Sequence, residues 1–288
     1  MSVDRLINLL VAVTLMEMMV TVGLRVTFGE LVETARNWRL VTRAALANYV
    51  LVPAVAIALL LLFQAPPLVV AGFLVLAVCP GAPYGPPFTG IAHGNVPMAA
   101  GLMVILAGSS AVVSPLLLRV LLPWLSDGET PRVDAAGMIG ALLITQLLPL
   151  LAGLLLKHLR PQLATRLVNP FELVSKILNV SVLGVILAAQ FHALMEIRLA
   201  AFSGMLALLI ASLIIGWLAG GPDREGRKTM ALTTSLRNAG VGLVIATGSF
   251  AGTPAVLAVL AYGIIAVLGS LIVALWWGRR APPQRMQA

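Results

Sequence analysis

The chain has 288 residues, 60% of them hydrophobic and only 10% charged, with a mean hydropathy of +1.01. Soluble domains carry about 25% charged residues, so these proportions exclude a water-soluble enzyme, and the apolar content equally excludes a disordered chain. The formal net charge of +8 implies no nucleic-acid partner, because the basic residues fall in the loops between apolar runs, where they mark the cytoplasmic side of a membrane protein.

Apolar runs of about 20 residues, the length needed to cross a bilayer, recur along the whole chain. The first covers Leu6 to Leu24, without a small-residue cleavage pattern, and reads as a retained helix rather than a signal peptide. The second covers Leu40 to Leu62, the third Leu68 to Ala92 and the fourth Val96 to Leu122. A fifth runs from Ala136 to Leu156 and a sixth from Phe171 to Leu194. Leu199 to Ala219, Thr229 to Gly248 and Pro254 to Trp277 complete nine predicted spans. Between the fifth and sixth, Lys157 to Leu167 mixes basic residues with leucines and is expected to lie in the interface plane.

Loop charges orient this arrangement. Thirteen Lys and Arg residues, clustered at 25–43, 157–166, 224–228 and 279–285, fall on one side, against Arg5, Arg119, Arg132 and Arg198 on the other. The richer side is cytoplasmic, which puts the N-terminus outside and the C-terminus inside, in the inner (plasma) membrane. Spans 1–4 and 6–9 each contain an interrupted third helix, and the single fifth crossing makes the two units inverted relative to each other, as in many secondary transporters. The expected division is a first repeat over 1–122, a connecting helix and interfacial segment over 123–170, and a second repeat over 171–288.

Two segments carry the candidate chemistry. In the third span, Cys79-Pro80-Gly81-Ala82-Pro83-Tyr84-Gly85-Pro86-Pro87 holds four prolines, which remove backbone donors and prevent a continuous helix. Freed backbone groups at membrane depth are tolerated where they line a cavity, and half-helix ends there bind ions or anionic groups. In the eighth span, Thr233-Thr234-Ser235-Leu236-Arg237-Asn238 places Arg237 about 12 Å beyond Thr229 at about 1.5 Å per residue. An arginine there costs about 2.5–3.5 kcal/mol or more. It either snorkels to the interface or serves as a fixed charge at a site for a carboxylate or sulfonate.

Glu17 in the first span and Lys176 in the sixth are the remaining ionisable residues at depth. Three readings stand for Glu17: a static pair with Lys176 or Arg237, a proton-titrating group, or a substrate contact. Asn48, Tyr49, Gln146, Asn179 and Gln190 are possible lining groups, with interhelical hydrogen bonding the commoner role of such residues. His93 reads as an interfacial turn residue. The single cysteine, Cys79, permits no intrachain disulfide and reads as a small packing residue. No Walker loop, HExxH pair, GxSxG or His/Cys cluster occurs, so no cofactor, metal or enzymatic activity is expected.

Val78-Cys79-Pro80-Gly81, followed by Ala92-His93-Gly94-Asn95-Val96 and Ser114-Pro115-Leu116, together with Leu236-Arg237-Asn238-Ala239-Gly240-Val241, resembles the bile acid:sodium symporter family. The resemblance implies an inverted repeat of panel and core domains, broken helices crossing in the core, and organic anions carried with sodium. Family members have ten helices, and this chain begins where their second would. It also implies a sodium-binding Ser-Asn pair where this chain has Gly85 and Pro86, and hydroxyl ligands where it has Ala99 and Met103. The family's shared glutamate aligns with Thr233, a ligand glutamine with Arg237 and a further glutamine with Asn48. A carboxylate is thus lost and a cation gained, contrary to what a hard cation requires. The expectation is an all-α, sodium-independent secondary transporter of small or amphipathic organic anions, with the Arg237 guanidinium in place of the second sodium. The alternative is a non-transporting receptor on the same fold, and an arsenite-type exporter using Cys79 is disfavoured for want of a second thiol. Oligomeric state is left open by the sequence, a monomer included.

Overall fold

The computed structural model describes residues 3–125, 134–189 and 199–280. Every regular element among them is helical: α1 (Val3–Arg25), α2 (Phe28–Arg36), α3 (Trp38–Leu62), α4 (Pro67–Ala77), α5 (Gly85–Ile91), α6 (Val96–Leu125), α7 (Ala135–Leu159), α8 (Pro161–Ala189), α9 (Leu199–Ala219), α10 (Arg224–Ser235), α11 (Ala239–Ser249) and α12 (Pro254–Arg279). Seven of these, α1, α3, α6, α7, α8, α9 and α12, are long and apolar enough to cross a membrane. The pairs α4/α5 and α10/α11 fall on the third and eighth predicted runs, each interrupted between its two helices.

Several expected boundaries are corrected. Within the stretch from Lys157 to Leu167, α7 continues to Leu159 and α8 starts at Pro161, with only Arg160 between them. Proline suits the first position of a helix, where its missing N–H costs no bond. The sixth span therefore starts ten residues before Phe171; its predicted end at Leu194, and Gln190, Arg132 and Arg198, lie outside the described residues. A short helix, α2, was not foreseen. Its capping box was legible as Thr27-Phe28-Gly29-Glu30: Thr27 Oγ1 accepts from the Glu30 N–H, and the Glu30 carboxylate accepts from Thr27 N at 2.8 Å. The second break is centred on Leu236–Asn238, whereas Ala239 and Gly240 already belong to the first turn of α11.

Packing places the breaks side by side. The first helix lies along α7 and α8, α4 packs against α12, and α9 runs along α10. Small residues permit the closest approaches, as is usual between membrane helices. A Cβ on Gly23 of α1 would collide with the backbone of Leu150 and Gly153 on α7. Two long helices carry a π-helical turn, Ala47–Leu51 in α3 and Leu143–Leu147 in α7. Such bulges turn a polar side chain out of register with its helix. Here they present Asn48 with Tyr49, and Gln146. Tyr49 Oη donates to the Leu106 carbonyl at 3.0 Å, and Gln146 Nε2 donates to the Ala107 carbonyl and, at 3.0 Å, to Ser110 Oγ. Both therefore grip one segment of α6, in the interhelical role expected of them.

Candidate functional site

The first break begins where α4 ends at Ala77 and lasts to Tyr84. Pro80 and Pro83 lie within it, while Pro86 and Pro87 occupy the first turn of α5, the one place a helix accepts them. Gly81 takes a positive φ of 84°, and a Cβ there would strike the backbone of Ala107. A break in a membrane frees carbonyls that must be satisfied inside the protein. Each one from Ala77 to Cys79 finds a donor, and so does that of Gly81. Arg237 Nη1 donates to Ala77 O at 3.2 Å and Ser114 Oγ to Val78 O at 2.6 Å. The Asn238 N–H donates to Cys79 O at 2.8 Å, and Asn238 Nδ2 to Gly81 O at 3.2 Å. Three of these four donors come from the second break or its cap, so the two discontinuities are stitched directly to each other.

Asn238 also caps α11, its Oδ1 accepting from the Val241 N–H at 3.2 Å. Arg237 is 1% exposed, which rules out snorkelling to the interface. Its Nη2 donates to Thr234 O at 2.7 Å. The two carbonyls it holds belong to the last residue of α4 and the penultimate residue of α10. Each helix C-terminus carries roughly −0.5 elementary charge, so two converging ends offset about one positive charge. That is how a guanidinium is held with no carboxylate beside it: the sole ion pair among the described residues joins Arg25 and Glu172. Each terminal nitrogen makes one bond to backbone, Nε has no hydrogen-bond partner, and the residue borders a cavity.

The other predicted site residues divide. Asn48 Nδ2 reaches the Ala44 carbonyl at 2.9 Å and Thr234 Oγ1 at 3.4 Å, so Asn48, Thr234 and Arg237 do gather around the end of α10. Thr233 Oγ1 instead donates to its own helix, to Thr229 O at 2.8 Å. Gly85 packs 3.3 Å from the Thr233 methyl, measured from where its Cβ would stand. Ala99 and Met103 are buried and apolar, and Cys79 is buried as a packing residue. Pro86, which has no polar side-chain atom to offer, lines a cavity. Among the described residues no three His, Cys, Asp or Glu side chains are grouped to hold a metal. His93 occupies the turn after α5 with φ 54°, as expected.

Glu17 forms neither of the anticipated ion pairs. Its carboxylate accepts from Thr21 Oγ1 at 2.9 Å and from Ser175 Oγ. The register of α1 against α8 sets this: Arg25 meets Glu172 and Thr21 meets Ser175, which leaves Lys176 turned toward a cavity.

Two cavities flank the crossing. The larger, about 660 Å³, lies between α1 and α8 on one wall and α5 and α6 on the other, with Arg25, Glu30, Glu172 and Lys176 around it. The smaller, about 330 Å³, lies between α1 and α8 and the α11/α12 side, against Arg237, Asn238 and Gly240. They share Met18, Pro83, Tyr84 and Asn179, which form the partition between them. Nothing in the sequence singled out Tyr84 or Met18 as a dividing wall, because a partition is a property of two surfaces brought together.

With every regular element among the described residues helical, seven of them membrane-length and two broken helices stitched at their breaks, this is a polytopic integral membrane protein. The profile of the sodium bile acid symporter family matches residues 12–197, and the chain belongs to that family. It is 24% identical over 257 residues to the uncharacterized sodium-dependent transporter YocS of Bacillus subtilis, covering 88% of this chain and 77% of that protein. It is 26% identical over 248 residues to the probable sodium/metabolite cotransporter BASS1 of Arabidopsis thaliana, with 84% of this chain and 60% of the relative covered. It is 25% identical over 277 residues to the probable sodium/metabolite cotransporter BASS2 of Oryza sativa subsp. japonica, with 92% of this chain and 63% of the relative covered. The chain thus spans under two thirds of the plant relatives' length.

Proposed function

We propose that this protein is a secondary transporter of small or amphipathic organic anions that works by alternating access without sodium. Family membership and the sodium-dependent names of its relatives support transport as the activity. One observation carries the departure from them: the Arg237 guanidinium donates to the carbonyl ends of both α4 and α10, where it supplies a tethered positive charge between two helix C-termini. A cation bound at such ends is what neutralises them in broken-helix transporters. Here the charge is covalent and does not exchange with solvent.

The remaining architecture follows the same reading. Nine spans form an inverted repeat over 1–122 and 171–288, joined through 123–170. Helices α1, α7 and α8 act as a panel, and the crossed helices with α3, α6, α9 and α12 act as a core. The protein sits in the plasma membrane with its N-terminus outside and its C-terminus in the cytoplasm. Rocking of panel against core would open the two cavities to opposite sides in turn. The test is uptake of labelled carboxylates and sulfonates into proteoliposomes with sodium replaced by choline. Equal rates in both salts support the proposal; a requirement for a sodium gradient that survives Arg237→Ala defeats it.

A further inference from the structure

The charges around the larger cavity balance in a telling way. Four charged side chains line it: Arg25, Glu30, Glu172 and Lys176. Arg25 and Glu172 form an ion pair. Glu30 is held by the cap of α2, accepting from both the N–H and the hydroxyl of Thr27 at 2.8 Å. Glu17, the other carboxylate beside this wall, is held by the hydroxyls of Thr21 and Ser175. Every carboxylate within reach therefore has a partner, and none of those partners is Lys176.

Lys176 lies one helical turn beyond Glu172 on α8, about 6 Å further along its axis at about 1.5 Å per residue. That puts it on the membrane side of the Arg25–Glu172 pair. An ammonium at depth is expensive unless it meets an anion or water. Asn179, three residues on, shares its face of the helix and lines the same cavity. The opposite wall is mainly apolar, built from Pro83, Pro86, Pro87, Val96, Ala100 and Met103, with Tyr84 among them. One uncommitted cation facing one apolar wall is the complement of a molecule with one anionic head and a hydrocarbon body. A dianion would leave a charge unpaired in a low-dielectric space.

We propose that Lys176 anchors the anionic head of the ligand in the larger cavity, and that this ligand is a monoanionic amphiphile, a carboxylate or sulfonate with a compact apolar body. The assignment deepens the transport reading and rests on it, and it moves the substrate charge from Arg237 to Lys176. It is tested on the full chain in lipid nanodiscs by calorimetric titration with hexanesulfonate, corrected against empty discs. Replacing a charge-assisted contact by a neutral one weakens binding by about ten- to a hundredfold, so Lys176→Gln should raise the Kd by that factor. Lys176→Arg should keep binding within about threefold, since the charge is retained. Lys176→Glu should lose hexanesulfonate and gain hexylammonium, a reversal that a misfolded or merely weakened variant does not produce. Wild-type affinity in Lys176→Gln, or failure of the wild type to bind hexanesulfonate, overturns the assignment. Lysine-dependent binding with no counterflow of hexanesulfonate in proteoliposomes would uphold the anchor and refute transport.

Discussion

Arg237 Nη1 lies 3.2 Å from the carbonyl oxygen of Ala77, 160 positions earlier in the chain. That single bond ties the end of one interrupted helix to the break in the other. With the Thr234 contact at 2.7 Å, it makes the guanidinium a bracket between two helix ends. An exchangeable cation at this point would leave on every cycle, and a bracket does not. Transport on this scaffold is therefore expected to proceed with the crossing permanently charged.

Removing the bracket strands two buried carbonyls. An unsatisfied buried acceptor costs about 1–3 kcal/mol, so Arg237→Ala, which strands two, is expected to destabilise the protein by about 2–6 kcal/mol, read as loss of thermal stability in detergent. Arg237→Lys should recover only part of it, because a point charge on a flexible stem does not span two acceptors as a planar fork does.

Sodium sensitivity should be recoverable by substitution. Thr233→Glu with Arg237→Gln returns a carboxylate and an amide oxygen to the two positions that the family resemblance marks, and hard cations bind such oxygens. Sodium chloride, compared with choline chloride, is expected to raise the thermal midpoint of the double variant and leave that of the wild type unchanged.

Asn238 serves both breaks at once, donating to Gly81 O and capping α11. Asn238→Ala loses a helix cap, worth about 1 kcal/mol, and leaves Gly81 O unpaired at about 1–3 kcal/mol. Chemical unfolding should show a loss of about 2–4 kcal/mol. Asn238→Asp should keep the cap and lose the donor, falling between the two.

Gly81→Ala should be among the most damaging single-methyl changes in the chain. The residue would need a left-handed backbone, at about 1–2 kcal/mol, and its Cβ would strike the Ala107 backbone. Expression of folded, monodisperse protein by size-exclusion chromatography is the measurement, with Gly140→Ala, where nothing lies within 4 Å, as the tolerated control.

Tyr84 offers a test of the partition. It stands between the two cavities with Met18, Pro83 and Asn179, and truncation to Ala would join them. Tyr84→Ala is expected to raise the unstimulated leak of labelled anion from proteoliposomes above wild type while exchange against external anion falls. An unchanged ratio of leak to exchange would place the barrier elsewhere.

The amino-acid sequence alone determined that this chain lives in a membrane, because 60% hydrophobic residues in repeated runs leave no soluble alternative. It also located both breaks, since four prolines in the third span and an arginine–asparagine pair in the eighth are local signals that require no neighbour to interpret. The capping box of α2 was equally local. What Arg237 touches was decided only by tertiary structure. The same arginine could have faced lipid headgroups, a carboxylate or a ligand, and the choice depends on α4 ending beside it. Glu17 and Lys176 show the same division: spacing put both at depth, but the register of α1 against α8 gave Glu17 to Ser175 and left Lys176 facing the cavity. Periodicity fixes how deep a side chain lies in the membrane, whereas its partner is set by where a distant helix ends.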